Sequence, residues 1–180
     1  MAQKTSLTPD EQAELARLLT KVGQDDGGYL PNDAYLALHK IIVRPTVEIF
    51  VYDQTGRFVL THRDDDFHGW HTPGGDILPN ETIEEAVTRH VRKERITEAV
   101  RDIQFIAVHP WLRGEHPFSF PLSQIIACQA VDQVIEREDM RWFRESPPDL
   151  IQEQPASFIR HFQWWHLQWR RPCAAVLGLE

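Results

Sequence analysis

The chain is poor in sulfur, in basic residues and in long apolar runs. It has two cysteines in 180 residues, Cys128 and Cys173, too few for a disulfide framework or a cysteine-rich zinc site. Cys128 lies in the apolar run 125–131 and reads as a small core residue. No apolar run reaches the roughly 18 residues of a membrane span. No charged start followed by an apolar block opens the sequence, so no secretion signal is expected and a cytoplasmic protein is the default. Lysine and arginine number 19 against 27 aspartates and glutamates, a formal net charge of −8. That balance argues against a non-specific binder of nucleic acid or of membrane surfaces. No aromatic-basic interleaving suits a single-stranded nucleic acid either. An anionic small molecule stays open, because a metal ion and a few arginines reverse the local field.

What is present suits one globular domain with added helices: 42% hydrophobic and 26% charged residues. Thr8-Pro9-Asp10-Glu11 reads as a capped helix start, and Leu15, Leu18, Leu19 and Val22 share one face of the helix that follows. Gly23 and the run Asp25-Asp26-Gly27-Gly28 end it. A short second helix is expected over 31–40. Residues 46–52 read as a strand, 53–56 as a turn, and 58–61 as its hairpin partner. Further strands are expected over 103–109, 123–131 and 141–143, and a last helix from about Pro155 through Trp165. This irregular mixture points to a mixed sheet with helices packed on it. The expected division is a helical extension over 1–44 packing on the domain, the domain itself over 45–165, and a tail over 166–180.

The chemistry concentrates in "GWHTPGGDILPNETIEEAVTRHVRKERITE", residues 69–98. Two glycines after Pro73 let backbone approach a ligand closely. A helix opening at Asn80 or Glu81 would offer its N-terminal N–H groups to an anion. Glu81, Glu85 and Arg89 share one helical face, and His90 and Glu94 share another. Glu84, Glu85, Glu94 and Glu98 make the segment acidic enough for a divalent cation, for which oxygen ligands favour magnesium or manganese. Spacing alone favours a solvated helix with salt bridges over a metal site.

These residues resemble the Nudix box, G-x5-E-x7-R-E-U-x-E-E-x-G-U with U aliphatic. Gly75, Glu81, Arg89, Val91 and Glu94 match. His90 and Lys93 replace two glutamates, Ile96 the glycine and Thr97 the last aliphatic residue. "VRPTVEIFVYDQTGRFVLTHRDDDFHGWHTPGGDI" is similar to the usual lead-in, and "EREDMRWF" to the usual ending. The resemblance implies an α/β/α sandwich with a mixed β-sheet between helices. It implies a hydrolase of a nucleoside diphosphate linked to another moiety, working with Mg2+ or Mn2+ on a small molecule. GDP-mannose mannosyl hydrolases show the same losses. Matching that branch gives Gly74, Glu94 and Glu136 as metal ligands and Arg63 as the group that assists the leaving diphosphate, with Gly74 and Gly75 lining the substrate. Glu94 and Arg63 are thus the catalytic candidates, and Glu81 and Arg89 a structural ion pair. Arg137 stands where that branch has its histidine base, and Asp76 where it has a loop arginine.

The missing glutamates support a rival: a catalytically inactive domain of the same fold that binds a nucleotide-like ligand or a protein. His90 is either a metal ligand or a filler, and Lys93 either a solvated cation or a phosphate contact. Asp64-Asp65-Asp66 is a solvated loop or a partner for Arg63, beside His68, Trp70 and His71. His109, Glu115 and His116 are candidate bases. Trp111, Phe118 and Phe120 form a lid, a dimer contact or local packing. Trp164, Trp165 and Trp169 mark either a homodimer contact or packing on the domain.

Overall fold

Alternation along one strand sorts the core. The computed structural model describes residues 7–24, 31–64, 68–112, 120–151 and 156–169. In β1 (Val43–Val51), Val47, Ile49 and Val51 point to one side of the sheet. Phe50, followed by Tyr52, points to the other. The first side is covered by helix α3 (Ile83–Lys93) through Ala86, Val87 and Val91. The second is covered by helix α4 (Ala156–Trp169) through Phe158, Ile159 and Phe162. This is the expected layering of helix, sheet and helix.

The strands form two sheets. One has the order β4-β1-β6-β5, from β4 (Gly74–Asp76), β6 (Phe120–Ala130) and β5 (Val100–Pro110). In it β1 runs parallel to β6 and antiparallel to β4. The second, antiparallel sheet has the order β3-β2-β7, from β3 (Gly69–His71), β2 (Phe58–Arg63) and β7 (Met140–Phe143). The hairpin expected between β1 and β2 is absent, reduced to a bridge between Tyr52 and Phe58. Both edges of β1 are already taken by β4 and β6, so the chain crosses to the other sheet at the Asp53 turn. There the Asp53 carboxylate accepts from the N–H groups of Thr55 and Arg57 at 2.9 and 3.0 Å.

Helix α1 (Pro9–Gln24) opens with the expected capping box: Thr8 N–H to Glu11 Oε2 at 2.7 Å, and Glu11 N–H to Thr8 Oγ1 at 3.3 Å. Its Leu15, Leu18 and Leu19 are exposed. Helix α2 (Asn32–His39) ends next to the domain, with Tyr35 stacked edge-on against His39 at 3.7 Å. Residues 25–30 between the two helices lie outside the described residues, as does Cys173. Cys128 is buried, and burial pushes its thiol pKa up to about 12, so it is no nucleophile at neutral pH. Helix α4 continues to Trp169, past the boundary drawn at 165.

Candidate functional site

The double-glycine bend is held at both ends by hydrogen bonds. His71 donates from Nδ1 to the Thr72 carbonyl at 2.8 Å, because a carbonyl only accepts. Its Nε2 therefore accepts from the Thr61 hydroxyl at 3.2 Å, fixing the end of β3 to β2. Ile49 N–H then donates to the Pro73 carbonyl at 2.8 Å. At Gly74 a Cβ would stand 2.1 Å from the Val47 carbonyl oxygen, a backbone atom that cannot step aside. Gly75 has φ +143, and a Cβ there would meet His90 Cε1 at 2.8 Å. The bend read as loop in the sequence is in fact the short edge strand β4, paired Glu48 to Gly74 and Thr46 to Asp76.

The helix begins later than expected. Thr82 is its N-cap, in a capping box with Glu85. Glu81, just before it, faces Arg89 in a two-point ion pair: Arg89 Nε to Oε1 at 2.6 Å and Nη2 to Oε2 at 2.7 Å. Arg89 Nη2 also donates to the Asp76 carbonyl at 2.8 Å, and Leu78 N–H donates to Glu81 at 2.9 Å. The pair thus clamps the bend to the helix. The Arg89 guanidinium holds the Glu81 carboxyl below its usual range, against an opposing effect of burial. Because the folded value is depressed, this contribution is complete above the ordinary glutamate value of 4.5 and is lost as pH falls through the folded value. Arg89→Ala is expected to cost about 1–2 kcal/mol at pH 7, after discounting for a partly exposed guanidinium. Urea denaturation should show the gap between parent and variant shrinking below pH 4, whereas a gap unchanged with pH would refute the assignment.

His90 is 4% exposed and donates from Nε2 to the Asp76 carbonyl at 3.0 Å. Its Nδ1 is then an unprotonated acceptor, buried and without a hydrogen-bond partner. Burial lowers the His90 pKa, so the ring is neutral in ordinary buffers. Glu94 lies four residues on, on the same helical face, as the C-cap. The chain there makes a Schellman turn: Arg95 N–H to Arg92 O and Ile96 N–H to Val91 O, both 2.9 Å, with Arg95 left-handed at φ 55. Ile96, standing where the box has glycine, buries itself beside Val91. Arg137 closes the same helix end, donating to the carbonyls of Glu94 at 3.0 Å and Arg95 at 2.6 Å. Glu94 itself is half-buried, and its carboxylate accepts no hydrogen bond among the described residues. Lys93 is exposed.

Glu136 is exposed, and its Oε1 accepts from Trp142 N–H at 2.9 Å. Arg63 is exposed at the end of β2, opposite Gly69. Trp70 is buried in the core on the α4 side. Trp111 and Phe158 pack edge-on against His109 at 5.6 and 5.1 Å. Trp165 packs on Tyr52, whereas Trp164 is exposed. Asp65, Asp66, Glu115, His116 and Phe118 lie outside the described residues.

Two groups of polar residues went unread in the sequence. Glu48, across the ladder from Gly74, accepts from the Thr72 hydroxyl at 2.6 Å and the Ser123 hydroxyl at 3.4 Å. Ser123 in turn accepts from Trp111 Nε1 at 2.8 Å. Arg44 pairs with Asp76, which also accepts from the Tyr35 hydroxyl at 3.3 Å, tying α2 to the bend. Alternation in β1 marks Glu48 only as facing away from Val47.

Residues 43–170 match the family model described as NUDIX domain. The chain belongs to the Nudix family. A relative described as RNA pyrophosphohydrolase, from Teredinibacter turnerae, is 26% identical over 144 residues, covering 76% of this chain and 78% of its own. A solved UDP-X diphosphatase shares the fold at 15% identity and TM-score 0.58, over 93% of this chain and 87% of that one. A MutT NUDIX hydrolase from Burkholderia pseudomallei does so at 20% identity and TM-score 0.52, over 68% and 97%.

Nudix enzymes generally use divalent metals. Near the bend the candidate donors are the half-buried Glu94 carboxylate, the Gly74 carbonyl and His90 Nδ1, which has no hydrogen-bond partner among the described residues. Magnesium keeps several waters and takes phosphate oxygens, so it needs only one or two protein carboxylates. By donor chemistry, one carboxylate with a backbone carbonyl suits a single ion shared with a diphosphate rather than a multi-ion cage.

Proposed function

We propose that the protein is a Nudix hydrolase that uses Mg2+ or Mn2+ to cleave a nucleoside diphosphate linked to another group, of the nucleotide-sugar kind. The observation that carries this is the half-buried Glu94 carboxylate, which accepts no hydrogen bond among the described residues, on the helical face whose His90 ring lies against Gly75. Gly74, Glu94 and Glu136 would hold the ion, and Glu136 has its second carboxylate oxygen for the purpose. When bound, the ion neutralises the diphosphate and stabilises the leaving group. Arg63 shares that charge. The close-packed bend at Gly74 and Gly75 brings backbone to the phosphates, and the Glu81–Arg89 clamp keeps it there.

The test is turnover with Mg2+ on UDP- and GDP-sugars, ADP-ribose and a 5′-triphosphorylated RNA, the last chosen from the relative's name. Turnover that needs Mg2+ and falls roughly tenfold or more in Glu94→Gln is expected. Reaction in 18O-water locates the attack, since the label enters phosphate or sugar. No turnover across the panel, with no heat of Mg2+ binding, would overturn the proposal. His90 and Lys93 in two glutamate positions favour a second reading, a domain that binds nucleotide without cleaving it. Equal nucleotide affinity in parent and Glu94→Gln, without hydrolysis, would select that reading.

A further inference from the structure

His62, Asp64 and His68 bring two imidazoles and a carboxylate together at the β2–β3 end of the second sheet. His62 Nδ1 lies 3.2 Å and His68 Nδ1 3.3 Å from the same oxygen, Asp64 Oδ1. One ligand atom from each of the three residues falls within 4.8 Å of the others. Donors bound to one tetrahedral zinc ion at about 2.0–2.2 Å stand roughly 3.3–3.5 Å apart. The two measured edges already have that length.

The frame is partly rigid. His62 is half-buried on β2, directly across the ladder from Trp70. Its ring meets Trp70 at 5.0 Å and His68 at 5.0 Å, both nearly edge-on. Trp70 in turn packs on Phe143 at 4.9 Å, in the core. Asp64 and His68 are exposed and free to close the third edge. Residues 65–67 lie outside the described residues.

We infer that His62, Asp64 and His68 form a transition-metal site that takes zinc or a similar borderline ion, with at least one coordination position open. Two nitrogens and one oxygen suit zinc, cobalt or nickel and are a poor set for magnesium. In the metal-free molecule both Nδ1 atoms already lie within ion-pair distance of the same carboxylate oxygen. Each imidazole would bind the ion through an unprotonated Nδ1, with its ring proton on Nε2. The site does not depend on the hydrolase reading, since none of its ligands belongs to the magnesium set.

The test uses the full, untagged chain after chelator treatment. Cobalt(II) titration should give visible absorption bands that saturate at one equivalent and are displaced by zinc. His68→Ala and Asp64→Asn, both at exposed positions, should lose that one-equivalent spectrum at the same concentrations. His62→Ala should do the same, while Glu94→Gln should keep it. Absence of a saturable spectrum in the parent would overturn the inference. So would an unchanged spectrum in His68→Ala, which would put the ion on other residues.

Discussion

Gly74→Ala is expected to destabilise the protein by roughly 3 kcal/mol or more, and to remove any magnesium-dependent turnover with it. The new methyl carbon would stand 2.1 Å from the Val47 carbonyl oxygen and 3.3 Å from Glu48 Cα. Neither can retreat, because β1 is locked on its other edge to β6 over the pairs from Val43–Phe120 to Val51–Cys128. The strain falls on β4, which must leave the sheet. The pairs Thr46–Asp76, Val47–Gly75 and Glu48–Gly74 go with it. So do the bonds that Arg89, His90 and Tyr35 make to Asp76. Urea denaturation measures the loss directly. A variant within about 1 kcal/mol of the parent would show that the bend has another way to settle.

Phe162→Ala carries the second large effect, about 3–5 kcal/mol. Phe162 is fully buried. Its ring stacks on Phe50 at 4.8 Å and 8°, and meets Phe58 edge-on at 5.4 Å. Tyr52 and Trp165 complete the surround at 6.0 Å each. The cavity left by the ring would be walled by two strands from different sheets and by the helix that spans them. Collapse would need all three to shift, which places the cost in the upper part of the range for such truncations. The denaturation midpoint should fall at unchanged slope. A loss under about 1.5 kcal/mol would mean that α4 re-seats freely.

What the sequence made legible was local. Thr8 with Glu11 is read from spacing because a helix start fixes which residues meet, whereas Glu81 meets Arg89 from the turn just before its helix. Strand β5 was found within a longer observed strand, and β6 to within a residue at its end but three residues late at its start, since their apolar residues recur without help from neighbours. What stayed hidden was pairing. Gly69–His71 and Gly74–Asp76 are strands only because β2 and β1 offer them edges, and glycine gives no strand signal of its own. The β1–β2 hairpin failed for the converse reason, as both edges of β1 were occupied. Glu48 meets Ser123 across 75 residues and Arg44 meets Asp76 across 32, separations at which no periodicity speaks. Sequence places the Thr82 cap ambiguously too, because Asn80, Glu81 and Thr82 all suit a helix start. Glu94 was picked from the family pattern, but the Schellman turn that seats it uses a left-handed arginine that no glycine announced.

The parallel union of β1 with β6 has a consequence in time. Thr46 and Ser123 are 77 residues apart. Closing a loop of that length costs about 4 kcal/mol of chain entropy before the ladder returns anything. A nascent chain therefore waits with one edge of its central strand bare until residues 120–130 leave the ribosome. During that interval the bare backbone edge of β1 is a surface that a holding chaperone has reason to cover.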